Sequence, residues 1–374
     1  MKRVLIFSLA YYPRVGGAEV AIKEITDRIS DIEFHMVTLR FSKEDPQEER
    51  LGNVFVHRVC GGGGYMSKVF FIPRASFAAR RLHAEHHFDA LWAMMSYMLV
   101  PVVLLRFLGV QLPYILTLQE GDTEQHMFGR IRIVPFLSLI GAGFRGATVV
   151  QAISNYLGGW ARKRGFKGQL EVIPNGVDVE KFLGEPVAHR GTVLVTSSRL
   201  VHKNAIDDVV RALVLLPKNI SFKILGNGPD EAALKQLSQD LAVESRARFE
   251  GYVGHADLPA HLHAADIFVR PSRSEGMGNS FVEAFAAGLP VVATQEGGIA
   301  DFLFDAKRNP NNPATGWAVD KNSPEQIAAA VQEILGNPEQ VKRVIENAKK
   351  LAVEKYDWNL IAKDMRERVF GKVL

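Results

Sequence analysis

Two doubly wound α/β domains are the architecture this sequence predicts, on three observations. The chain has 374 residues, more than a single hydrophobic core ordinarily holds. Short, continuous apolar runs alternate with helical patterns along nearly all of it, the mark of a parallel sheet covered on both faces. The alternation stops at "GVDVEKFLGEPVAHRG" and then restarts, which places the join near residues 184–191.

In the first half, "RVLIFSLA", "FHMVTL", "VFVHRV", "DALWAM", "YILTLQ", "TVVQAI" and "EVIPN" read as strands, with helical segments such as "AEVAIKEITDRI" and "VPVVLLRFLG" among them. The second half supplies "TVLVTSS", "SFKILGNG", "ARFEGYV", "DIFVRPS" and "PVVAT", with a helix between each strand and the next. After Ser323 the pattern is helical to the end. In the last segment Trp358, Ile361, Ala362, Met365 and Val369 recur at helical spacing, so an amphipathic helix docks there.

Composition narrows the class. Apolar residues at 47% and charged residues at 23% are those of an ordinary globular protein. Cys60 is the one cysteine, so no internal disulfide and no Cys/His zinc spacing exist, and a reducing, cytoplasmic home is expected. The opening "MKRVLIFSLA" imitates a signal peptide but reads better as a buried first strand, because no small-residue cleavage pattern follows. The apolar passage from Ala90 to Leu105 is broken by Ser96 and Pro101, short of a bilayer span. Net charge is +4; residues 1–185 hold 22 Lys and Arg against 18 Asp and Glu, and the rest is balanced at 23 each. That excess is too small for a nucleic-acid partner and suits an anionic small molecule or a membrane surface.

In open parallel sheets ligands bind beyond the carboxyl ends of the strands, so the motifs are sought there. Gly16 and Gly17 in "YYPRVGGAEV" stand ahead of a helix, where backbone N–H groups meet a phosphate or simply make a turn. The stretch is not G-x-G-x-x-G, and no acid follows at ribose-reading distance, which argues against a dinucleotide site. In "SSRLVHKNAIDD", Arg199 and Lys203 fall on a strand-end loop and the first turn of the next helix, suited to a diphosphate. A second glycine turn holds Gly226 and Gly228, with Pro229 as first helical residue. "FEGYVGHADL" offers backbone near Gly251, Tyr252 and Val253.

"SRSEGMGNSFVEAFAAG" is the most informative stretch. Glu275 stands on a glycine loop after a buried strand, with Gly276, Met277, Gly278 and Asn279 beside it. Ser280, Phe281 and Glu283 open a helix closed by Gly288. Ser280-x-x-Glu283 reads as a capping box, which accounts for Glu283 structurally; nothing of that kind accounts for Glu275. The reading favoured is that one acid holds sugar hydroxyls, the other ribose hydroxyls, and the N–H groups between them bind phosphates.

Together, "RPSRSEGMGNSFVEAFAAGLPVVAT" with Gly297–Gly298, "SRLVHK", "VIPNGVD" and "GGAE" resemble the family-four glycosyltransferases of GT-B fold. The resemblance runs over most of the chain and is strongest from Val172 to Gly298. It implies two Rossmann-like domains facing a central cleft, with the terminal helix crossing back to the first. The first domain is residues 1–185, completed by the helix 357–374, on the acceptor side; residues 186–356 bind the donor. It implies a UDP- or GDP-sugar donor, retention of anomeric configuration, no metal and no cofactor. Carried over by position, Glu275 contacts the donor sugar, Glu283 the ribose, Arg199 and Lys203 the diphosphate, and Gly16–Gly17 lies over the phosphates.

The sequence departs from the family at two places. Where the family commonly has a histidine after the "YILTL" strand, this chain reads "LTLQEGDTEQHMF", leaving Gln119, Glu120, Asp122 or His126 on the acceptor side. Asn204 stands where a glycine often follows the lysine. His83 and His87, like His255, His261 and His263, read as solvated helix faces rather than metal ligands. "KVFFIPRASFAARRL" and "MFGRIRIVPFLSLIGAGFRG" mix basic and apolar residues, as contact with the inner membrane face or a lipid-linked acceptor would require. The function expected is hexosyl transfer to a saccharide or lipid-linked acceptor in envelope polysaccharide or glycolipid synthesis. The alternatives are a nucleotide-sugar 2-epimerase and a non-catalytic sugar-nucleotide-binding subunit; the short length argues against a phosphorylase.

Overall fold

Runs of β-branched and aromatic residues between polar turns form two parallel sheets, each flanked by helices. The computed structural model describes residues 1–131 and 133–374 and divides into two units, Met1–Asn175 with Trp358–Leu374, and Gly176–Asp357.

Among its described residues the first unit holds eight strands: β1 (Lys2–Phe7), β2 (Ile32–Leu39), β3 (Glu48–Leu51), β4 (Val54–Val59), β5 (Ala90–Met94), β6 (Tyr114–Leu118), β7 (Val149–Ala152) and β8 (Gln169–Val172). Their order is β3-β4-β2-β1-β5-β6-β7-β8, parallel except for the β3–β4 pair. Strand β3 is absent from the apolar pattern because its sequence, "EERL", carries no buried residue: it is an edge that blunts the sheet with charge. The second unit holds β9 (Thr192–Ser197), β10 (Ile220–Leu225), β11 (Ala247–Gly251), β12 (Ile267–Arg270), β13 (Val291–Ala293) and β14 (Trp317–Ala318). Their order is β11-β10-β9-β12-β13-β14, parallel throughout.

The C-terminal segment belongs to the first unit's core. Trp358, Ile361, Met365, Val369 and Phe370 are buried there, with the Phe370 ring 5.6 Å from Phe34 and 5.2 Å from Trp92. Each such side chain contributes about 1.5–3 kcal/mol by burial. The first unit's leading segment ends at Asn175 rather than at 185. Residues 176–185 go with the second unit because Val177 donates to the Tyr356 carbonyl at 2.6 Å, and the buried Phe182 ring meets the His255 ring edge-on at 5.7 Å.

A histidine cluster is expected to make the first unit sensitive to acid. His35 on β2 is buried, its Nδ1 3.1 Å from His57 Nε2 on β4 and its Nε2 3.1 Å from Glu33 Oε1, with the His86 ring centroid 4.4 Å away. Burial pushes its pKa down to about 4, the Glu33 hydrogen bond opposing and the neighbouring imidazoles assisting. The fold therefore holds His35 neutral. Stability is complete above the unfolded value of about 6.5 and is lost as pH falls from there toward 4, by about 3 kcal/mol in all. Denaturant titrations at pH 7 and pH 5 are expected to show the loss, and His35→Asn to flatten it; an unchanged slope in that variant assigns the acid sensitivity elsewhere.

Candidate active site

In each sheet the chain runs outward from a central strand and then returns to its other side, at β1/β5 in the first unit and β9/β12 in the second. Such switch points open a crevice at the carboxyl ends of the strands, and the predicted residues gather there.

In the second unit, the loops after β9, β10 and β11 are tied by backbone hydrogen bonds. Leu200 donates to Asn227 O (2.9 Å), Asp230 to Leu200 O (3.2 Å) and Gly226 to Gly251 O (2.6 Å). The glycines are required by that closeness: a Cβ on Gly226 would lie 1.9 Å from Ser198 O, and one on Gly228 2.2 Å from Leu200 O. Their role in the structure is to let the β10 loop press on the loop carrying Arg199. Arg199 is exposed, while Lys203 sits on a separate 3₁₀ turn, His202–Asn204, ahead of the helix Ile206–Leu215. Lys203 is thus not in that helix's first turn, which instead carries Asp207 and Asp208, matched to the dipole. Asn204 is buried and donates to Arg199 O at 2.6 Å, so it braces the loop where a glycine would leave it free. Pro229 precedes the helix Glu231–Asp240 without entering it, because Asp230 takes the cap position. Tyr252 is exposed and Val253 half-buried on the turn after β11.

The glycine loop after β12 is organised by a residue the motif does not flag. Arg270, the last residue of β12, is buried. Its guanidinium donates to Glu275 Oε2 (2.7 Å), to Ser280 Oγ (2.7 Å) and to Ser197 O (3.3 Å), with its carbon 4.2 Å from the Phe281 ring centroid. Burial lowers its pKa from the usual arginine value, with the charges of Glu275 and Glu283 opposing. Glu275 is thereby held by a bond to a buried cation, and its other oxygen accepts from Gly276 N–H at 3.0 Å. Its carbonyl accepts from Gly298 N–H at 3.0 Å, which gives the Gly297–Gly298 pair a structural part.

Gly278, at φ 86°, caps the helix Asn279–Ala287; a Cβ there would strike Arg270 and Phe281. Ser280 and Glu283 therefore do not form the expected capping box: the Ser280 hydroxyl is committed to Arg270, and Glu283 faces His255, whose Nε2 lies 3.0 Å from Glu283 Oε1. Met277 and Phe281 are buried and pack this loop rather than present side chains at its surface.

Arg273 joins the glycine loop to the Lys203 turn. Its backbone N–H donates to Lys203 O (2.7 Å), and its guanidinium to His202 O (2.7 Å), Asp207 (2.8 Å) and Asp208 (2.9 Å). Glu275, Glu283 and Lys203 thus belong to one braced group of loops.

In the first unit, Gly16 and Gly17 are exposed at the start of the helix Gly17–Arg28, but Gly16 N–H already donates to the Glu19 carboxylate at 2.8 Å. Burial raises the Glu19 pKa against its backbone hydrogen bonds. Glu120 is fully buried; it accepts from Ser96 N–H (2.6 Å) and Gln119 N–H (3.0 Å), and burial raises its pKa. It fastens the strand end at Met95, a non-glycine residue at φ 71°, ψ 154° of the kind that costs about 1–3 kcal/mol. Gln119 exchanges two amide hydrogen bonds with Asn175, at 3.0 and 3.1 Å. Of the four acceptor-side candidates, Gln119 and Glu120 are engaged internally, while Asp122 is half-buried and His126 exposed, 3.9 Å apart.

Arg270 and His255 are the residues that pattern reading missed. A charged residue ending an otherwise apolar strand, "DIFVR", was the available signal for the first. His255 precedes the helix Leu258–His263 and touches Glu283, so it is not a solvated helix face; His261 and His263 are partly buried on that helix. His83 likewise accepts the Phe88 N–H at 3.1 Å, and His87 ends its helix at φ 53°.

Comparison with known proteins agrees with this geometry. The "Glycosyltransferase Family 4" model matches residues 15–181, and "Glycosyl transferases group 1" matches residues 180–351. A GDP-mannose-dependent α-(1-6)-phosphatidylinositol monomannoside mannosyltransferase of Mycobacterium tuberculosis is 28% identical, covering 99% of both chains. Its namesake in Mycolicibacterium smegmatis is 30% identical over 60% of this chain and 63% of its own. Among solved structures, sucrose-phosphate synthase of Thermosynechococcus elongatus aligns with a TM-score of 0.84 at 19% identity over 99% of both chains. Anabaena HepE in complex with UDP-glucose gives 0.80 at 19% identity, over 99% of this chain and all of that one. With one model taking over where the other ends, and both units wound as the motifs require, this chain belongs to the family 4, group 1 glycosyltransferases of GT-B fold.

Proposed function

We propose that the protein moves a hexose from a nucleotide-diphosphate sugar to a saccharide or lipid-linked acceptor in envelope polysaccharide or glycolipid synthesis, with retention and without a metal ion. One observation carries the reading. The loops that end β9 and β12 set Lys203, Glu275 and Glu283 in one hydrogen-bonded frame, with Arg199 on the same β9 loop. A GDP-hexose is the donor we favour, GDP-mannose first, because the relative that aligns over 99% of both chains is named for it.

In this reading Arg199 and Lys203 neutralise the charge that develops on the leaving diphosphate, helped by N–H groups at the start of the helix Asn279–Ala287. Glu275 accepts from the sugar hydroxyls. Glu283 accepts from the ribose through the oxygen that His255 does not engage. Fixed cations supply the electrostatic stabilisation for which other transferases use a metal. Gly16–Gly17 meets the phosphates when the Glu19 carboxylate yields the Gly16 N–H. The 2-epimerase reading is disfavoured by Glu120: the buried carboxylate that elimination chemistry would draw upon is spent on two backbone N–H groups.

The test is a thermal-shift screen against GDP, UDP, ADP and their sugars with EDTA present, followed by analysis of released sugar and its anomer. A GDP-selective shift with slow release of α-mannose from GDP-α-mannose supports donor, retention and metal independence together. Loss of turnover in EDTA restored by a divalent ion removes the metal-free part, and acceptor-free conversion to another nucleotide sugar establishes the epimerase. Lys203→Ala is expected to weaken GDP and GDP-sugar alike by roughly 10- to 100-fold, the worth of a charge-assisted hydrogen bond. An effect confined to the acceptor contradicts its place on the diphosphate.

A further inference from the structure

Beside the strand ends of the first unit lies a cavity of about 150 Å³, lined by Leu9 just past β1, by Val69 and Ile72 of the helix Tyr65–His86, by Met98 past β5, and by Phe136 and Ile140. None of the residues assigned above to the donor or the acceptor side lines it. The strained strand end at Met95, fastened by Glu120, turns Tyr97 and Met98 into its wall.

One cation, Lys68, stands at the cavity's mouth. Lys68 lines it and is exposed, and its ammonium has no hydrogen-bond or ion-pair partner among the described residues. The helix Tyr65–His86 carries four Lys and Arg (68, 74, 80, 81) against the single acid Glu85, and residues 129–146 carry three arginines and no acid. On the same helix Met66, Phe70 and Phe77 are exposed, with the Arg74 guanidinium 5.9 Å from the Phe70 ring centroid.

A narrow apolar hole with an unpaired cation at its mouth fits an amphiphile with an anionic head. A peptide would bring backbone amides to a lining that offers them no partner. We propose that this cavity takes the hydrocarbon chain of a lipid-phosphate acceptor, with Lys68 on the phosphate. The inference rests on the transfer reading above and specifies its acceptor as a lipid carrying a phosphate close to the chain.

Isothermal titration calorimetry of the full chain, without nucleotide, tests it using ethyl, butyl, hexyl and octyl phosphate. Affinity is expected to rise about fourfold per methylene until the cavity is filled and then level off. Lys68→Gln is expected to weaken every member of the series by roughly the same factor, near tenfold. Val69→Trp, which fills the hole, flattens the dependence on chain length; Ile133→Trp serves the same purpose if that variant fails to fold. Octyl phosphate binding no better than ethyl phosphate overturns the proposal, as does equal affinity for octyltrimethylammonium or an undiminished chain-length dependence in a correctly folded cavity-filling variant. The donor reading fails separately: alkyl phosphate binding without any nucleotide shift leaves the cavity assignment standing and removes the transfer, and the reverse result removes the cavity alone.

Discussion

Glu275→Gln is expected to lower turnover by roughly 100-fold, the scale of removing one preorganised electrostatic contact from a transition state. The same substitution is expected to cost about 1–3 kcal/mol of stability. From its position on a glycine loop Glu275 looks thermodynamically idle, but its carboxylate is the counter-charge of the buried Arg270. Gln keeps one acceptor for the guanidinium and loses the charge, so the cost stays below the 3–5 kcal/mol of a buried pair with one partner removed. Steady-state kinetics with GDP-mannose hydrolysis and a denaturant titration separate the two effects. A variant that melts early with turnover intact reduces Glu275 to a structural partner of Arg270.

Arg270→Met is expected to cost more stability, about 3–5 kcal/mol, and to lose turnover by a factor similar to that of Glu275→Gln. Methionine retains the packing over Phe281 but withdraws the donors held by Glu275, Ser280 and the Ser197 carbonyl. Because Arg270 acts through Glu275, the two changes should not add. The double variant is expected to be scarcely slower than either single one, and a double-mutant cycle reads that coupling. Additive losses in kcat mean that Arg270 acts on the substrate by another route. An intact kcat in Arg270→Met means that the loop orients Glu275 without it.

The placement of the second unit's glycine loops and acids at the strand ends was largely legible in the sequence. A glycine loop after an apolar strand, an acid upon it and a second acid inside the following helix are local facts, and the strand-end rule places them at a ligand edge. The acceptor side was less legible because Gln119, Glu120, Asp122 and His126 lie within one short run whose side chains point different ways. Only the fold shows that Glu120 turns inward onto Ser96 and Gln119 N–H groups, while Asp122 and His126 remain at the surface.

By itself the sequence determined the two wound sheets, the apolar strand cores, and the glycine-rich loops at the strand ends, because each follows from the order of residues along a few turns of chain. Tertiary structure alone decided what those loops are tied to. Arg270 and Glu275 pair across five residues, but Arg273 reaches Asp207, His255 reaches Glu283, and Gly226 presses on Ser198 across distances that no local pattern encodes. The capping box failed for the same reason: a buried guanidinium without enough acceptors claims the Ser280 hydroxyl more strongly than an N-terminal N–H that water can reach. Burial sets the strength of a polar contact, and burial is a property of the folded chain.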